Sequence, residues 1–428
     1  MDLSIVLPVM NECDNLRELI PRLNGLAQRL HLSHEIIVVD GGSTDGTQEA
    51  AEKLGWRVIT ERRRGYAGAL ETGFDEAHGD YILTLDADMS HEPDFVAKMW
   101  RARERSDIVI ASRYVRGGTA YTSFVRNFTS RLLNLVLRRV LSLPVRDLSS
   151  GFRLYRREAL ANLHLTGRNF EVLEEILVIA YSRGFSVSEV PFTYFPRGSG
   201  RSHARLIRFG LDLTFSAIQL WKLRNSVESA DYDERAFYSV IPLQRYWHRR
   251  RHRLITGWAR GCSRILDIGC GSSISTQSLN NAIAMDISFA KLRFMQRYGL
   301  PVIQGSAAAL PFHDRSFDCI VSSEVIEHIN YEESLFGELW RVLMPGGTLI
   351  IGTPDYATLE WRIIEPIYGM LAPGGYRDKH ITHYTREKLT GILNHYGFVH
   401  QHSEYVAGAE LVMRWRKPAA TESVSYSA

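Results

Sequence analysis

Asp86-Ala87-Asp88 follows the apolar run Tyr81-Ile82-Leu83-Thr84-Leu85. Two acids two residues apart at a strand end can each lend an oxygen to one divalent cation. Magnesium or manganese, held by carboxylates and phosphates, is the chemistry such a pair expects. The ion would neutralise a diphosphate leaving group. A bare Asp-x-Asp is a weak signal, strengthened here by the strand before it and by Asp40 upstream. Asp40 ends the run Ile36-Ile37-Val38-Val39 and precedes Gly-Gly-Ser-Thr-Asp-Gly-Thr. Ligands of open α/β sheets sit beyond the carboxyl ends of strands, so Asp40 is placed to accept hydrogen bonds from a base or ribose. Ser43, Thr44 and Asp45 fit a helix N-cap after a tight turn.

A second group lies in the other half of the chain. An apolar run ending in Asp267-Ile268 enters Gly269-Cys270-Gly271, and Asp286 ends the next run, Ala282-Ile283-Ala284-Met285. Glycines let a backbone approach a cofactor closely. An acid about twenty residues past the first strand is spaced to bind ribose hydroxyls. The turn by itself also fits a nicotinamide enzyme.

Placing these acids requires alternating strands and helices. Residues 1–225 read as an α/β domain with a largely parallel sheet, with strands over 4–9, 35–40, 57–60 and 81–86 and helices over 15–30, 47–54 and 68–77. Polar residues 226–245 read as a linker, and the basic run Arg249–Arg253 as a solvated helix face. A second alternation over 246–417 has strands at 264–268, 282–286, 301–304, 317–322 and 347–352, and 418–428 reads as a disordered tail. The halves share no motif, which marks a fusion and not a duplication.

The formal net charge of +3 is too small for a protein whose main partner is nucleic acid. The four cysteines, Cys13, Cys262, Cys270 and Cys319, form no Cys-x-x-Cys pair and fit neither a zinc site nor a disulfide framework. With no signal peptide visible at the start and no long uncharged apolar stretch, a cytoplasmic protein is expected. Two apolar segments edged with arginines, 132–143 and 206–223, have the character of amphipathic helices lying in a lipid headgroup layer. They fit equally a helix buried between domains or docked on a membrane-protein partner.

Leu7-Pro8-Val9-Met10-Asn11-Glu12 with Asn15-Leu16, residues 38–47 and Asp86-Ala87-Asp88 resemble glycosyltransferase family 2. Ala111-Ser112-Arg113-Tyr114, residues 147–153 and Glu189-Val190-Pro191 resemble its polyprenyl-phosphate (dolichyl-phosphate) mannose synthase branch. The resemblance implies a GT-A fold over the first half of the chain, a GDP- or UDP-hexose donor and inversion at the anomeric carbon. Pro8, Glu12 and Asp40 would hold the nucleotide, and Asp86 and Asp88 the metal, Mg²⁺ or Mn²⁺. Arg113, Arg126 and Arg197 would address the acceptor phosphate or the diphosphate, since a guanidinium fork matches phosphate oxygens. Three features depart from the branch: Gly41 stands where a second Asp is common, Gly200-Arg201-Ser202-His203 replaces Gly-x-Ser-Lys, and transmembrane helices are absent. The Gln-x-x-Arg-Trp motif of processive relatives is missing too, so one sugar per encounter is expected.

The glycine turn, Gln304-Gly305-Ser306, Leu310-Pro311-Phe312, Glu327-His328 and Leu343-Met344-Pro345-Gly346-Gly347 resemble class I methyltransferases. That implies a Rossmann-like domain binding S-adenosylmethionine, with Asp267, Gly269 and Gly271 around the methionine part and Asp286 on the ribose. Ser306 replaces an acid often found near the adenine. Candidate bases for a hydroxyl acceptor are His328, His380, His383 and Glu324.

Together these readings describe a bifunctional enzyme. The first half would move mannose or glucose to a polyprenyl phosphate, and the second would methylate a related glycan or lipid. The alternative is transfer to a hydroxyl, with Glu174 or Glu175 as base on a helix where a glutamate is usually solvated. The second half would then be a non-catalytic S-adenosylmethionine-binding or scaffolding module.

Overall fold

The computed structural model describes residues 1–167, 169–195, 217–330, 333–371 and 380–419. Arg197, residues 200–203, most of 206–223 and residues 420–428 of the expected tail lie outside them. The chain divides into two compact units, Met1–Tyr181 with Phe185–Arg224, and Ser182–Gly184 with Asn225–Ala428.

The first unit contains β1 (Leu3–Val9), β2 (His34–Asp40), β3 (Arg57–Thr60), β4 (Tyr81–Thr84), β5 (Ile108–Ser112), β6 (Thr119–Ala120), β7 (Arg153–Arg156), β8 (Val187–Pro191) and β9 (Thr193–Tyr194). Seven strands form one sheet in the order β3-β2-β1-β4-β7-β5-β8, while β6 and β9 form a ribbon. The sheet is parallel except for β7, which runs against β4 and β5. Alternate residues of the central strands feed opposite cores. Val6, Ile37 and Val39 pack with Leu70 and Ile176 on one face; Ile5, Leu7 and Val38 pack with Leu16, Leu19 and Leu23 on the other. Runs apolar on both faces are what a helix-covered parallel sheet requires. Pro8 lies past the end of the β1–β4 pairing, which stops at Val6, so its missing N–H falls where β1 has lost a neighbour.

Strand β4 ends at Thr84, two residues short of the expected limit, and Leu85–Asp88 form the loop that carries both acids. Strand order reverses between β1 and β4, and a sheet opens its ligand crevice at such a switch point.

The second unit contains β10 (Ile265–Ile268), β11 (Ala282–Asp286), β12 (Val302–Gln304), β13 (Phe317–Ser323), β14 (Leu343–Pro354), β15 (Val399–Val406) and β16 (Glu410–Arg416). Their order is β12-β11-β10-β13-β14-β16-β15, with β16 antiparallel to both neighbours and a switch point between β10 and β13.

The stretch 226–245, expected as a linker, belongs to this second unit and carries the helix Tyr232–Phe237 and the start of the helix Pro242–Trp258. Val227, Tyr232 and Ala236 are buried together. The polar residues that marked the stretch as solvent-facing alternate with these apolar ones. The basic run is likewise not simply solvated. Arg251 donates to Glu410 at 2.7 and 2.9 Å, and Arg250 pairs with Glu404.

Candidate active sites

In the first unit the loops after β1 and β2 are tied together by side chains. The Asn11 N–H donates to Ser43 Oγ (2.8 Å), Thr44 N–H to Asn11 Oδ1 (2.8 Å), and Glu12 N–H to Thr47 Oγ1 (3.0 Å). Asp40 is buried, and its carboxylate accepts from the Gly42 and Ser43 N–H groups and from Ser43 Oγ. It therefore shapes the turn as well as ending its strand. Asp45 receives the Thr47 N–H at 3.0 Å, a turn contact. The N-cap, expected among Ser43, Thr44 and Asp45, is instead Gly46, whose positive φ of 85° turns the chain into the helix Thr47–Lys53 without a capping side chain. Beside Asp40 stands Glu61, whose carboxyl is raised by burial and by Asp40 and held by the Gly65 N–H. Pro8 pairs with Val39 across the strand ends.

Asp86 and Asp88 follow β4. Asp88 is buried and accepts from Ser90 N–H (3.1 Å), whereas the Asp86 side chain is about a third exposed. His91, unmarked by any motif, fixes Asp86. Its Nδ1 accepts the Asp86 N–H at 3.0 Å and its Nε2 lies 4.0 Å from Asp86 Oδ2. Stacked on Phe152 and buried, this imidazole has its pKa lowered by desolvation and stays neutral. Opposite, the Tyr66 hydroxyl and Asp86 Oδ1 converge on Gly151: a Cβ there would lie 2.7 Å from the hydroxyl and 3.6 Å from the carboxylate. Two strand-end carboxylates, one of them open to solvent, fit a magnesium or manganese ion whose other ligands are phosphate and water.

The predicted arginines separate. Arg113 is locked to Asp147 by three hydrogen bonds of 2.7–2.8 Å from Nη2, Nε and its own N–H, and reaches Ser149 Oγ at 2.9 Å. Its charge is largely balanced there, although it still abuts the ring of Tyr194, which packs on His91. Arg126 is exposed in the first turn of the helix Phe124–Val140. Arg153 is a structural staple, donating to the carbonyls of Ser150 (2.7 Å), Leu173 (2.8 Å) and Leu148.

Glu174 and Glu175 are both buried, against the expectation for a helical glutamate, because the helix Val172–Ser182 is covered on nearly every side. Glu175 holds Thr166 and Gly167 through hydrogen bonds of 2.7–2.9 Å. Burial pushes the Glu174 carboxyl up to about 8.

In the second unit one cavity of about 440 Å³ is lined by Asp267, Gly269, Gly271, Asp286, Ser306, Glu324 and His328, among others. The Gly269 and Cys270 N–H groups donate to the Met285 carbonyl (2.8 and 3.0 Å), and Gly271 N–H donates to Asp286 Oδ2 (2.9 Å). Both glycines have positive φ, +67° and +53°. A Cβ would lie 2.2 Å from Val325 at the first and 2.3 Å from Asp233 at the second. Such a cradle fits a cofactor whose ribose binds Asp286. Asp233, from the supposed linker, is a wall residue the motifs did not mark: its carboxylate accepts Ser272 N–H at 3.0 Å. Burial raises the Asp267 carboxyl to about 7, despite the Thr276 hydroxyl it accepts.

Residues 4–163 match the family described as Glycosyl transferase family 2, and residues 266–351 match a Methyltransferase domain. The chain is 36% identical over 214 residues to a dolichol-phosphate mannosyltransferase of Pyrococcus furiosus, covering 47% of this chain and 59% of that protein. It is 31% identical over 220 residues to an undecaprenyl-phosphate 4-deoxy-4-formamido-L-arabinose transferase of Pseudomonas fluorescens, covering 49% and 63%. It is also 33% identical over 215 residues to a polyprenol monophosphomannose synthase of Mycolicibacterium smegmatis, covering 46% and 79%. The chain thus spans less than two thirds of the length of the first two relatives. The strand-end acids, the switch-point crevice and these likenesses agree: the chain belongs to glycosyl transferase family 2 and carries a methyltransferase domain behind its GT-A-like unit.

Proposed function

We propose that the first unit transfers a hexose, mannose or glucose, from a GDP- or UDP-sugar to a polyprenyl phosphate, with a divalent ion at Asp86 and Asp88. The second unit, in this reading, methylates a hydroxyl of a related glycan or lipid using S-adenosylmethionine. The carrying observation is the pair Asp86 and Asp88 after β4, at the sheet's switch point, with Asp40 ending β2. An ion held there would take up charge from the leaving diphosphate. Pro8, Glu12 and Asp40 would seat the nucleoside, and His91 holds Asp86 in place. An anionic phosphate oxygen attacks the anomeric carbon as the bond to the diphosphate breaks, with inversion. No base is required, because the acceptor is already ionised. Arg126 would meet the acceptor phosphate, and Arg113 would orient the site through Tyr194. Arg197 would bind the diphosphate.

The enclosure of both glutamates supports the phosphate acceptor over a hydroxyl. Glu174 and Glu175 are buried within the packing of the helix Val172–Ser182, and Glu175 is committed to Thr166 and Gly167, so neither is offered as a base to an acceptor hydroxyl. Membrane contact gains support from the helix Phe124–Val140, which begins earlier than the sequence reading and leaves Phe124, Val125, Phe128, Leu132, Leu135 and Val136 exposed beside Arg126 and Arg131. Aromatic and aliphatic side chains with a basic edge suit a lipid headgroup layer. Among the described residues no helix is long and apolar enough to cross a membrane.

The test is to incubate the protein with Mn²⁺, GDP- and UDP-hexoses, polyprenyl phosphate and labelled S-adenosylmethionine, and to identify the products by mass spectrometry. Hexosyl phospholipid and a labelled methyl ether are expected. Sugar appearing only on hydroxyl acceptors would overturn the lipid assignment, and cofactor binding without label transfer would reduce the second unit to a binding module.

A further inference from the structure

Glu327, His328 and His380 each present one ligand-type atom, and the three atoms lie within 4.8 Å of one another. Glu327 and His328 come from the single turn Ile326–His328 after β13. His380 is brought to them because the Ile381 and Thr382 N–H groups both donate to the Glu327 carbonyl, at 2.7 and 3.0 Å. The His328 and His380 ring centroids are 4.9 Å apart. Glu327 is wholly buried; its Oε2 accepts from Thr353 Oγ1 (3.1 Å), and its Oε1 has no hydrogen-bond partner among the described residues. A buried carboxylate oxygen in that condition is costly and calls for a partner, which an ion can supply.

The orientation of His380 points the same way. The Tyr356 hydroxyl donates to Glu365 Oε1 (3.0 Å), so its oxygen accepts from His380 Nδ1–H (2.6 Å). That relay puts the imidazole proton on Nδ1 and the lone pair on Nε2, the arrangement in which an outer carboxylate fixes the tautomer of a metal-binding histidine.

We propose that Glu327, His328 and His380 bind a divalent transition-metal ion at the edge of the second unit's cavity, a site separate from Asp86 and Asp88. One carboxylate with two imidazoles suits zinc or a neighbouring first-row ion, and suits magnesium poorly. His328 lines the cavity that also contains Asp267 and Asp286, so a remaining coordination position can take a hydroxyl oxygen of the methyl acceptor. Coordination makes that hydroxyl more acidic, and its proton passes to solvent. The oxygen then attacks the methyl carbon of the sulfonium. The O–C bond forms as the C–S bond breaks and leaves a neutral thioether. This use of the ion rests on the methyltransferase reading; its binding does not.

The test uses the full chain carrying Asp86→Asn and Asp88→Asn, stripped with a chelator and titrated with Co²⁺. A single equivalent with the visible absorption of a nitrogen-ligated ion is expected, displaced by Zn²⁺. His328→Ala and Glu327→Gln should each weaken binding by at least about tenfold, and Tyr356→Phe, which removes only the relay, by about tenfold. Far-UV circular dichroism and the thermal midpoint of every variant report that the unit is folded, and S-adenosylmethionine binding to the parent protein is measured separately by calorimetry. If Glu327→Gln fails that check, His328→Ala and Tyr356→Phe carry the test. No Co²⁺ bound, or unchanged Co²⁺ affinity in variants that stay folded, overturns the proposal while leaving the methyltransferase reading intact. Co²⁺ binding with no cofactor binding in the parent protein sinks the methyltransferase reading instead.

Discussion

At the scale of single residues, the two sites differ in how their acids are held. Asp86 is fixed by a neutral buried histidine, and Asp88 by a backbone N–H. Replacing Asp88 with Asn should therefore lower sugar transfer on the order of 100-fold, the size of losing one electrostatic contact to a developing charge. Circular dichroism should stay unchanged. His91→Ala leaves both carboxylates in place but frees their loop, so it should raise the Mn²⁺ concentration for half-maximal rate more than it lowers the maximal rate. Asp267 gives a different signal. Its carboxyl, raised by burial to about 7, is partly protonated at neutral pH, and pairing with the ammonium of S-adenosylmethionine would ionise it. Cofactor binding should then release close to half a proton at about pH 7, seen as a binding enthalpy that varies with the ionisation heat of the buffer. Asp267→Asn should abolish that variation; a buffer-independent enthalpy in the parent protein would place the ammonium elsewhere.

At the scale of elements, the helix Val172–Ser182 carries the clearest pH signature. Glu174 folds as the neutral acid, so the stability it gains is present below its ordinary value of 4.5 and is lost as the pH rises through about 8. Glu174→Gln should match the parent in urea midpoint at about pH 5 and exceed it at about pH 9. Sugar transfer to a phosphate should show no rise through that window; a rise abolished by Glu174→Gln would restore the base and the hydroxyl acceptor. For the helix Phe124–Val140, changing Phe124 and Phe128 to Ser should weaken sedimentation with anionic vesicles, while hydrolysis of the donor sugar to water stays at its parent level. Positions of strands were legible in the sequence because their apolar runs end in acids: Asp40, Asp86 and Asp286 all lie at or just beyond strand ends. What escaped reading depends on packing between distant segments. His91 needs Phe152 behind it, Tyr66 needs Gly151, and the burial of Glu174 needs neighbours on nearly every side of its helix.

At the scale of the whole molecule, each unit has its own core and its own strand-end site. Each should then respond to its own ligand. S-adenosylmethionine at about 100 times its dissociation constant should stabilise one thermal transition by about 2.7 kcal/mol and leave the other unmoved. Nucleoside diphosphate with Mn²⁺ should do the reverse, and a ligand that shifts both transitions equally would show that the units unfold together.

Asp233 draws a boundary that family matching would put in the wrong place. The matched methyltransferase segment begins at residue 266, and the composition change invites a cut near 245, yet the carboxylate propping Ser272 beneath the glycine turn comes from before both. An excised second half starting at either point would keep every motif residue and lose a supporting wall of the cavity proposed to take the cofactor. Starting at residue 225 keeps that wall, so the shorter fragments should bind S-adenosylmethionine more weakly than the longer one, although all three carry the same recognisable signature.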